Sequence, residues 1–215
     1  YVSARASIEV HRLGFDDIGG LAETSSGGPI RMLSVSSVDQ NKRVDRIAQA
    51  AIWLARSGMP VHWTHLGDGP ARAQVDGVLA ARPTQLTVDL PGQVSHSEVA
   101  SAMLHGRHSV LVNLSLSEGA PVSLMEAQCV GMPVVATRVG ASAEVAPPQW
   151  NQLIDVDADV PAIATAILAA AQSSRADAEN RRRHWLQNSE ASRVYPKFAK
   201  RLAQLAHAGR RHSCA

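Results

Sequence analysis

Glu118 and Glu126 stand with seven residues between them, one in the polar stretch SLSEGAP and the other a turn into an apolar run, so both can face a single crevice. A carboxylate accepts hydrogen bonds from hydroxyl groups, which is what the sugar and the ribose of a nucleotide sugar present. Between the two, Gly119, Ala120, Pro121, Val122, Ser123 and Leu124 lead into a helix. The first amides of such a helix lack partners within it, and its positive dipole end suits a diphosphate. Pro121 falls where a missing N–H is harmless, and Gly119 lets a ligand come close to the backbone. Lys42 is expected to start another helix at the same crevice and to neutralise phosphate charge as a compact cation. Carboxylates beside a diphosphate make sense if they bind hydroxyls, which favours a sugar nucleotide over plain ATP.

Each of these residues also has a plainer reading. A lone glutamate at a helix start is more often a dipole partner than a ligand, Glu126 alone could sit on the surface, and GDGP at 67–70 could be a tight turn and nothing more. Nine histidines invite a metal. His62 and His65 share one predicted strand at odd spacing, and His96, His105 and His108 scatter over helix and strand ends, so no metal is expected. Ser115 and Ser117 have no His and Asp arrangement that would make a nucleophile. Trp53 and Trp63 are expected in the core.

The elements that must position these residues follow from Pro29 onward, where short β-rich runs alternate with helical patterns. Strands are expected over 30–36, 61–66, 86–90, 110–114 and 133–137, with a short sixth over 152–155. Helices are expected over 42–56, 71–81, 95–106, 122–130 and 160–172. Ser95 and Glu98 read as a capping box, and Gly131 as a helix stop. Two further helices, 175–189 and 194–208, follow in a more polar segment. The fold class is therefore α/β: a Rossmann-like, doubly wound parallel sheet of five to six strands with helices on both faces, plus C-terminal helices. In the order 3-2-1-4-5-6 the first and fourth strands lie side by side, and the loops leaving them diverge around a crevice. The two most polar loops, SSVDQNKR and SLSEGAPVSLMEA, leave those two strands.

At 215 residues with 45% hydrophobic and 4% aromatic content, the chain can bury one full core, with helices packed closely on a sheet. A net charge of +2 does not point to nucleic acid. The run Arg181, Arg182, Arg183 is expected to be a solvated helix face, with an acidic membrane surface as its alternative partner, and Arg210 and Arg211 add charge near the end. Two cysteines, Cys129 in an apolar helical stretch and Cys214, give no disulfide framework, which fits a reducing cytoplasm. No apolar run is long enough to span a bilayer, and residues 1–9 lack the order of a signal peptide.

SEGAPVSLMEA, followed by GMPVVAT and VGASAEV, resembles the retaining GT-B glycosyltransferases of family four, and NKRVD, LGDGP and the Gly of LPGQVSHSEV extend the resemblance over residues 29–175. It implies that Glu118 holds donor-sugar hydroxyls and Glu126 the ribose, and that Lys42 meets the diphosphate. Glu118 and Lys42 would then be the catalytic pair. The amides of Gly119 to Leu124 would bind sugar and diphosphate, while Ser37, Gly67, Asp68, Pro91 and Gly92 would lie near the nucleotide. No cofactor or metal is implied, only a UDP-sugar or GDP-sugar substrate. Many members carry an arginine in a GRL sequence where this chain has Ser36, Ser37 and Val38, so diphosphate binding is expected to be weaker by one cation.

The implied organisation is a linker over 1–28 from a missing N-terminal acceptor domain, the donor-binding domain over 29–175 and a helical extension over 176–215. The first residue is not methionine, and the chain is expected to be a fragment of a longer enzyme, inactive alone. That enzyme would pass a hexose to an acceptor glycan or lipid-linked glycan, with retention, in polysaccharide or glycoconjugate synthesis. It would work in the cytoplasm or peripherally at the inner face of a membrane. A GT-B sugar-nucleotide epimerase and a non-catalytic nucleotide-sugar-binding or scaffold domain are the rival readings.

Overall fold

The computed structural model describes residues 9–24 and 27–211, with side chains as far as residue 206. Cys214, residues 1–8 and the side chains of Arg210 and Arg211 lie outside the described residues. Six strands form one parallel sheet: β1 (Ile30–Val35), β2 (Val61–Leu66), β3 (Leu86–Gly92), β4 (Val110–Asn113), β5 (Val134–Thr137) and β6 (Gln152–Ile154). Their order is β3-β2-β1-β4-β5-β6, as expected. Every pairing is parallel, with Ile30 opposite Val61 and Leu111 opposite Val134.

Strand side chains alternate between faces, so each strand feeds two cores. Met32, Trp63, Val110, Val112 and Val135 face one core. It is covered by α1 (Val44–Arg56), α2 (Arg72–Leu79) and α6 (Val160–Ala171). Leu33, Leu111, Val134 and Ala136 face the other, under α3 (His96–His105) and α4 (Val122–Cys129). Between α4 and α6 runs a one-turn helix, α5 (Ser142–Val145), that periodicity did not suggest. The chain ends in α7 (Arg175–Asn188) and α8 (Ala191–Arg211). Local signals set these ends. Ser95 and Glu98 close the capping box of α3, Ser174 and Asp177 that of α7, and Asp159 accepts the Ala162 amide at the start of α6.

Three expectations need correction. Lys42 does not start a helix: α1 begins at Val44, behind Arg43 in a left-handed conformation, and Lys42 lies in the preceding turn with its amide on Asp39 Oδ1 at 2.9 Å. Trp53 is 37% exposed, because it stands off the stripe that Ile47, Ala51 and Leu54 turn inward. Trp63 is buried, and its indole N–H donates to Ser34 Oγ at 2.9 Å. Arg181 is the third. It is 1% exposed and donates to the carbonyls of Gly131 and Trp150 and to Ser173 Oγ, at 2.9, 2.7 and 2.8 Å. Successive helical residues point about 100° apart, and Arg181 is the member of the run that falls on the sector of the helix turned toward the domain.

Residues 9–24 run along the same side. Phe15 bridges to Glu190, the Ala22 amide donates to the Val130 carbonyl at 2.9 Å, and Asp17 pairs with Arg182 at 2.6 Å. No helix among the described residues is long and apolar enough to cross a membrane.

Candidate functional site

The loops after β1 and β4 leave the sheet from adjacent strands, and one side chain ties them together. Asn41 accepts the Ser117 amide and donates to the Ser117 carbonyl, both at 3.0 Å, while its own carbonyl takes the Leu116 amide at 2.8 Å. Arg43, turned by its positive φ, reaches the Leu114 carbonyl at 2.6 Å. From below, Thr137 Oγ1 donates to the Ser115 carbonyl at 2.5 Å, and the Ala141 amide to the Gly119 carbonyl at 3.0 Å. Gly140 allows that last contact: its φ is +51°, and a Cβ there would meet the Glu118 carbonyl at 1.8 Å.

A cleft of about 480 Å³ opens over these loops, lined by Val35, Ser36, Lys42, Gln93, Val94, His96, Val99, Glu118, Ala120, Pro121, Val122, Ser123 and Glu126. At one end Glu118 Oε1 receives Lys42 Nζ at 2.7 Å, Ser115 Oγ at 2.6 Å and Asn113 Nδ2 at 3.3 Å. Ser115 Oγ is also 2.7 Å from Asn113 Oδ1, so its single proton chooses between two acceptors. Burial pushes the Glu118 carboxyl up, but the hydrogen bonds from Lys42, Ser115 and Asn113, with the lysine charge, hold it below the usual carboxylate range. Its other oxygen takes no hydrogen bond from the described residues.

Glu126 lies at the other end, 4% exposed, with the exposed His96 imidazole Nδ1 at 3.3 Å from Oε1. Burial raises its pKa, and the His96 charge opposes that only in part. Between the carboxylates, α4 begins at Val122 behind Pro121. The amides of Gly119, Ala120, Val122 and Ser123 make no hydrogen bond among the described residues, which leaves four donors without a protein partner at the positive end of the helix. Nothing lies within 4 Å of where a Gly119 Cβ would stand. The Leu124 amide, expected to serve a ligand, instead bonds the Pro121 carbonyl at 3.2 Å, and its side chain is in the core.

A model of the glycosyl transferases group 1 family matches residues 29–173. The chain belongs to that family. It is 28% identical over 130 residues to a phosphatidylinositol N-acetylglucosaminyltransferase from Arabidopsis thaliana, covering 60% of this chain and 29% of that protein. To the amylovoran biosynthesis glycosyltransferase AmsK of Erwinia amylovora it is 27% identical over 148 residues, 67% of this chain and 36% of the relative. In fold it is similar to the pneumococcal O-GlcNAc transferase GtfA, solved in complex with UDP and GlcNAc. That likeness has a TM-score of 0.71 at 21% identity, over 89% of this chain and 39% of that one. The chain thus spans about a third of the length of these proteins.

Within this glycosyl transferases group 1 domain, Lys42, Glu118, Ala120, Pro121, Val122, Ser123 and Glu126 come together in the cleft. Gly119 borders an adjoining hollow that shares Ala120. Ser37, Gly67, Asp68 and Gly92 do not line the cleft. Ser37 Oγ donates to Asp39 at 2.6 Å. Gly67, with φ +139°, presses on the Ser36 carbonyl, where a Cβ would stand at 1.9 Å, and its amide donates to the Gly92 carbonyl at 2.9 Å. GDGP therefore packs the ends of β1, β2 and β3 against one another.

Sequence reasoning missed Gln93, Val94, His96 and Val99 as cleft residues, and Asn41, Asn113, Ser115 and Thr137 as the residues that fix Glu118 and its loop. The available signal is the stretch LPGQVSHSEV, whose residues 93–99 follow the Pro91 and Gly92 that the resemblance implies. His62 pairs with Asp89 at 2.5 Å, and His65 is buried on Ser34 at 2.8 Å. Burial takes the His65 pKa down to about 4. Among the described residues no group of His, Cys, Asp or Glu has the arrangement of a metal site.

Proposed function

We propose that this chain is the donor-binding part of a retaining glycosyltransferase of family four, which moves a hexose from a nucleotide diphosphate sugar to an acceptor. The observation that carries the reading is that Glu118, Lys42, the open amides at the start of α4 and Glu126 share one cleft. A nucleotide sugar has the matching sequence of groups: sugar hydroxyls for Glu118, a diphosphate for Lys42 and the amides, and ribose hydroxyls for Glu126. As the glycosidic bond breaks, charge grows on the departing diphosphate. Lys42 and the amides of Gly119, Ala120, Val122 and Ser123 are already oriented to stabilise it. The sugar leaves with its anomeric configuration retained.

UDP is the first nucleotide in this reading and GDP the second, supported by the UDP in the pneumococcal transferase of like fold. The amylovoran enzyme and the phosphatidylinositol-directed enzyme support a glycan or lipid-linked acceptor in polysaccharide or glycoconjugate synthesis. The acceptor would be held by a second, N-terminal domain of a longer protein, working in the cytoplasm or at the inner face of a membrane.

Titration calorimetry with UDP, GDP, ADP and their common sugar conjugates tests the reading. One base should bind in the micromolar to millimolar range, and Lys42→Ala and Glu126→Ala should each weaken it about tenfold, about 1.4 kcal/mol. Binding by none of them would reject the claim that this domain grips the donor.

A further inference from the structure

We propose that His96 is the positioning residue for Glu126, its imidazole setting the charge state and orientation of the carboxylate that ribose hydroxyls would bind. This rests on the donor-binding reading above. His96 is the first residue of α3, whose start is fixed by the Ser95–Glu98 capping box. Its Nδ1 stands 3.3 Å from Glu126 Oε1, across 30 residues of sequence and between two helices on the same face of the sheet. The imidazole is 65% exposed and the Glu126 side chain 5% exposed, so the histidine covers the carboxylate from the solvent side.

The ring does not hang free. Phe15 meets it edge to face, with centroids 5.8 Å apart at 78°. Phe15 in turn is pinned at the α7–α8 junction, its amide donating to the Ser189 carbonyl at 2.8 Å and its carbonyl receiving the Ala191 amide at 3.1 Å. A line of contacts therefore runs from the C-terminal helices through Phe15 and His96 to Glu126.

The other charged groups around α4 are engaged elsewhere. On the β1 and β4 loops, Lys42 is bonded to Glu118 at 2.7 Å. Asp17 of the segment before β1 and Arg182 of α7 pair with each other beside Cys129, at the far end of the helix. Among the described residues no side chain hydrogen-bonds Glu126, and His96 is the charge that acts on it. A buried carboxyl tends to take up a proton, and a protonated carboxyl loses acceptor capacity for two hydroxyls. Charge on His96 favours the ionised form. Without it, Glu126 takes up its proton at a higher pH, and affinity for the ribose falls there.

The test is the affinity of UDP and of GDP between about pH 5.5 and 8.5 for the chain, for His96→Ala, for His96→Gln and for both changes in a Glu126→Gln background. His96→Ala should weaken the bound nucleotide severalfold at the acid end of that range and less at the alkaline end, because burial raises the Glu126 pKa and the charge that opposes it is removed. His96→Gln, which keeps a polar group beside Glu126 without the charge, should restore affinity at the alkaline end and not at the acid end. With Gln at 126, the histidine changes should have no further effect. A His96→Ala profile that overlays that of the unaltered chain, or a loss that persists with Glu126→Gln, would overturn this inference and leave donor binding intact. Failure of the unaltered chain to bind either nucleotide would overturn both. His96 is exposed, so His96→Ala should keep the circular dichroism of the unaltered chain and unfold cooperatively, which confirms that the change is local.

Discussion

The two carboxylates of the cleft are eight residues apart in the sequence and live under opposite electrostatics. Glu118 is in a loop, yet Lys42, Ser115 and Asn113 converge on one of its oxygens and hold its pKa down. Glu126 is on a regular helix, yet it has only the side of one imidazole among the described residues, and burial drives its pKa up. The difference teaches that secondary structure does not decide how firmly a functional group is held; the number of donors aimed at it does. In the proposed reading the firmly held end grips the sugar whose bond breaks. The loosely held end waits for the nucleoside to supply its hydrogen bonds.

Substitutions that remove charge and keep shape should separate the two ends by sign. Glu118→Gln breaks a largely buried pair and strands the Lys42 charge. It should lower stability by about 1–3 kcal/mol in urea unfolding at neutral pH. Asn41→Ala removes the two side-chain hydrogen bonds to Ser117 at that end and should lower stability by about 1–2 kcal/mol. Glu126→Gln removes a charge that folding buries with little compensation, and should raise stability by about 0.5–1 kcal/mol in the absence of ligand. Equal losses at both glutamates would erase the comparison.

The pH dependence sharpens it further. Glu118, with its pKa depressed when folded, contributes stability above the ordinary carboxylate value of 4.5, and that stability is lost as pH falls through the lower folded value. Glu126, with its pKa raised, is neutral in an interval where the unfolded chain is ionised. Its penalty therefore grows as pH rises from 4.5 through the raised value. Unfolding curves across that range should show the stability gain of Glu126→Gln vanish in acid, while the loss in Glu118→Gln also shrinks there. A gain in Glu126→Gln that is constant with pH would be the smallest deviation worth seeing, and would place its origin in packing.

Much of this was legible in the chain. Alternating apolar runs and the handedness of crossovers gave five to six strands in the order that the structure has, because parallel α/β sheets allow few alternatives. The two glutamates, the helix between them and Lys42 carried their chemistry in residue type and spacing. What escaped was set across the sequence. His96 meets Glu126 only because α3 and α4 pack side by side, and Asn41 holds Ser117 only because strands one and four are neighbours. Arg181 hid for a different reason: a charge run reads as solvated until the helix chooses which member faces the domain.

Amide hydrogen exchange with and without the nucleotide that calorimetry selects tests the central claim most directly, since it reads both ends of the cleft at once. The account predicts slowed exchange at Gly119, Ala120, Val122 and Ser123, whose amides are open in the free chain, together with slowing around Gln93 to His96. Protection confined to another part of the molecule, with these amides unchanged, would contradict it.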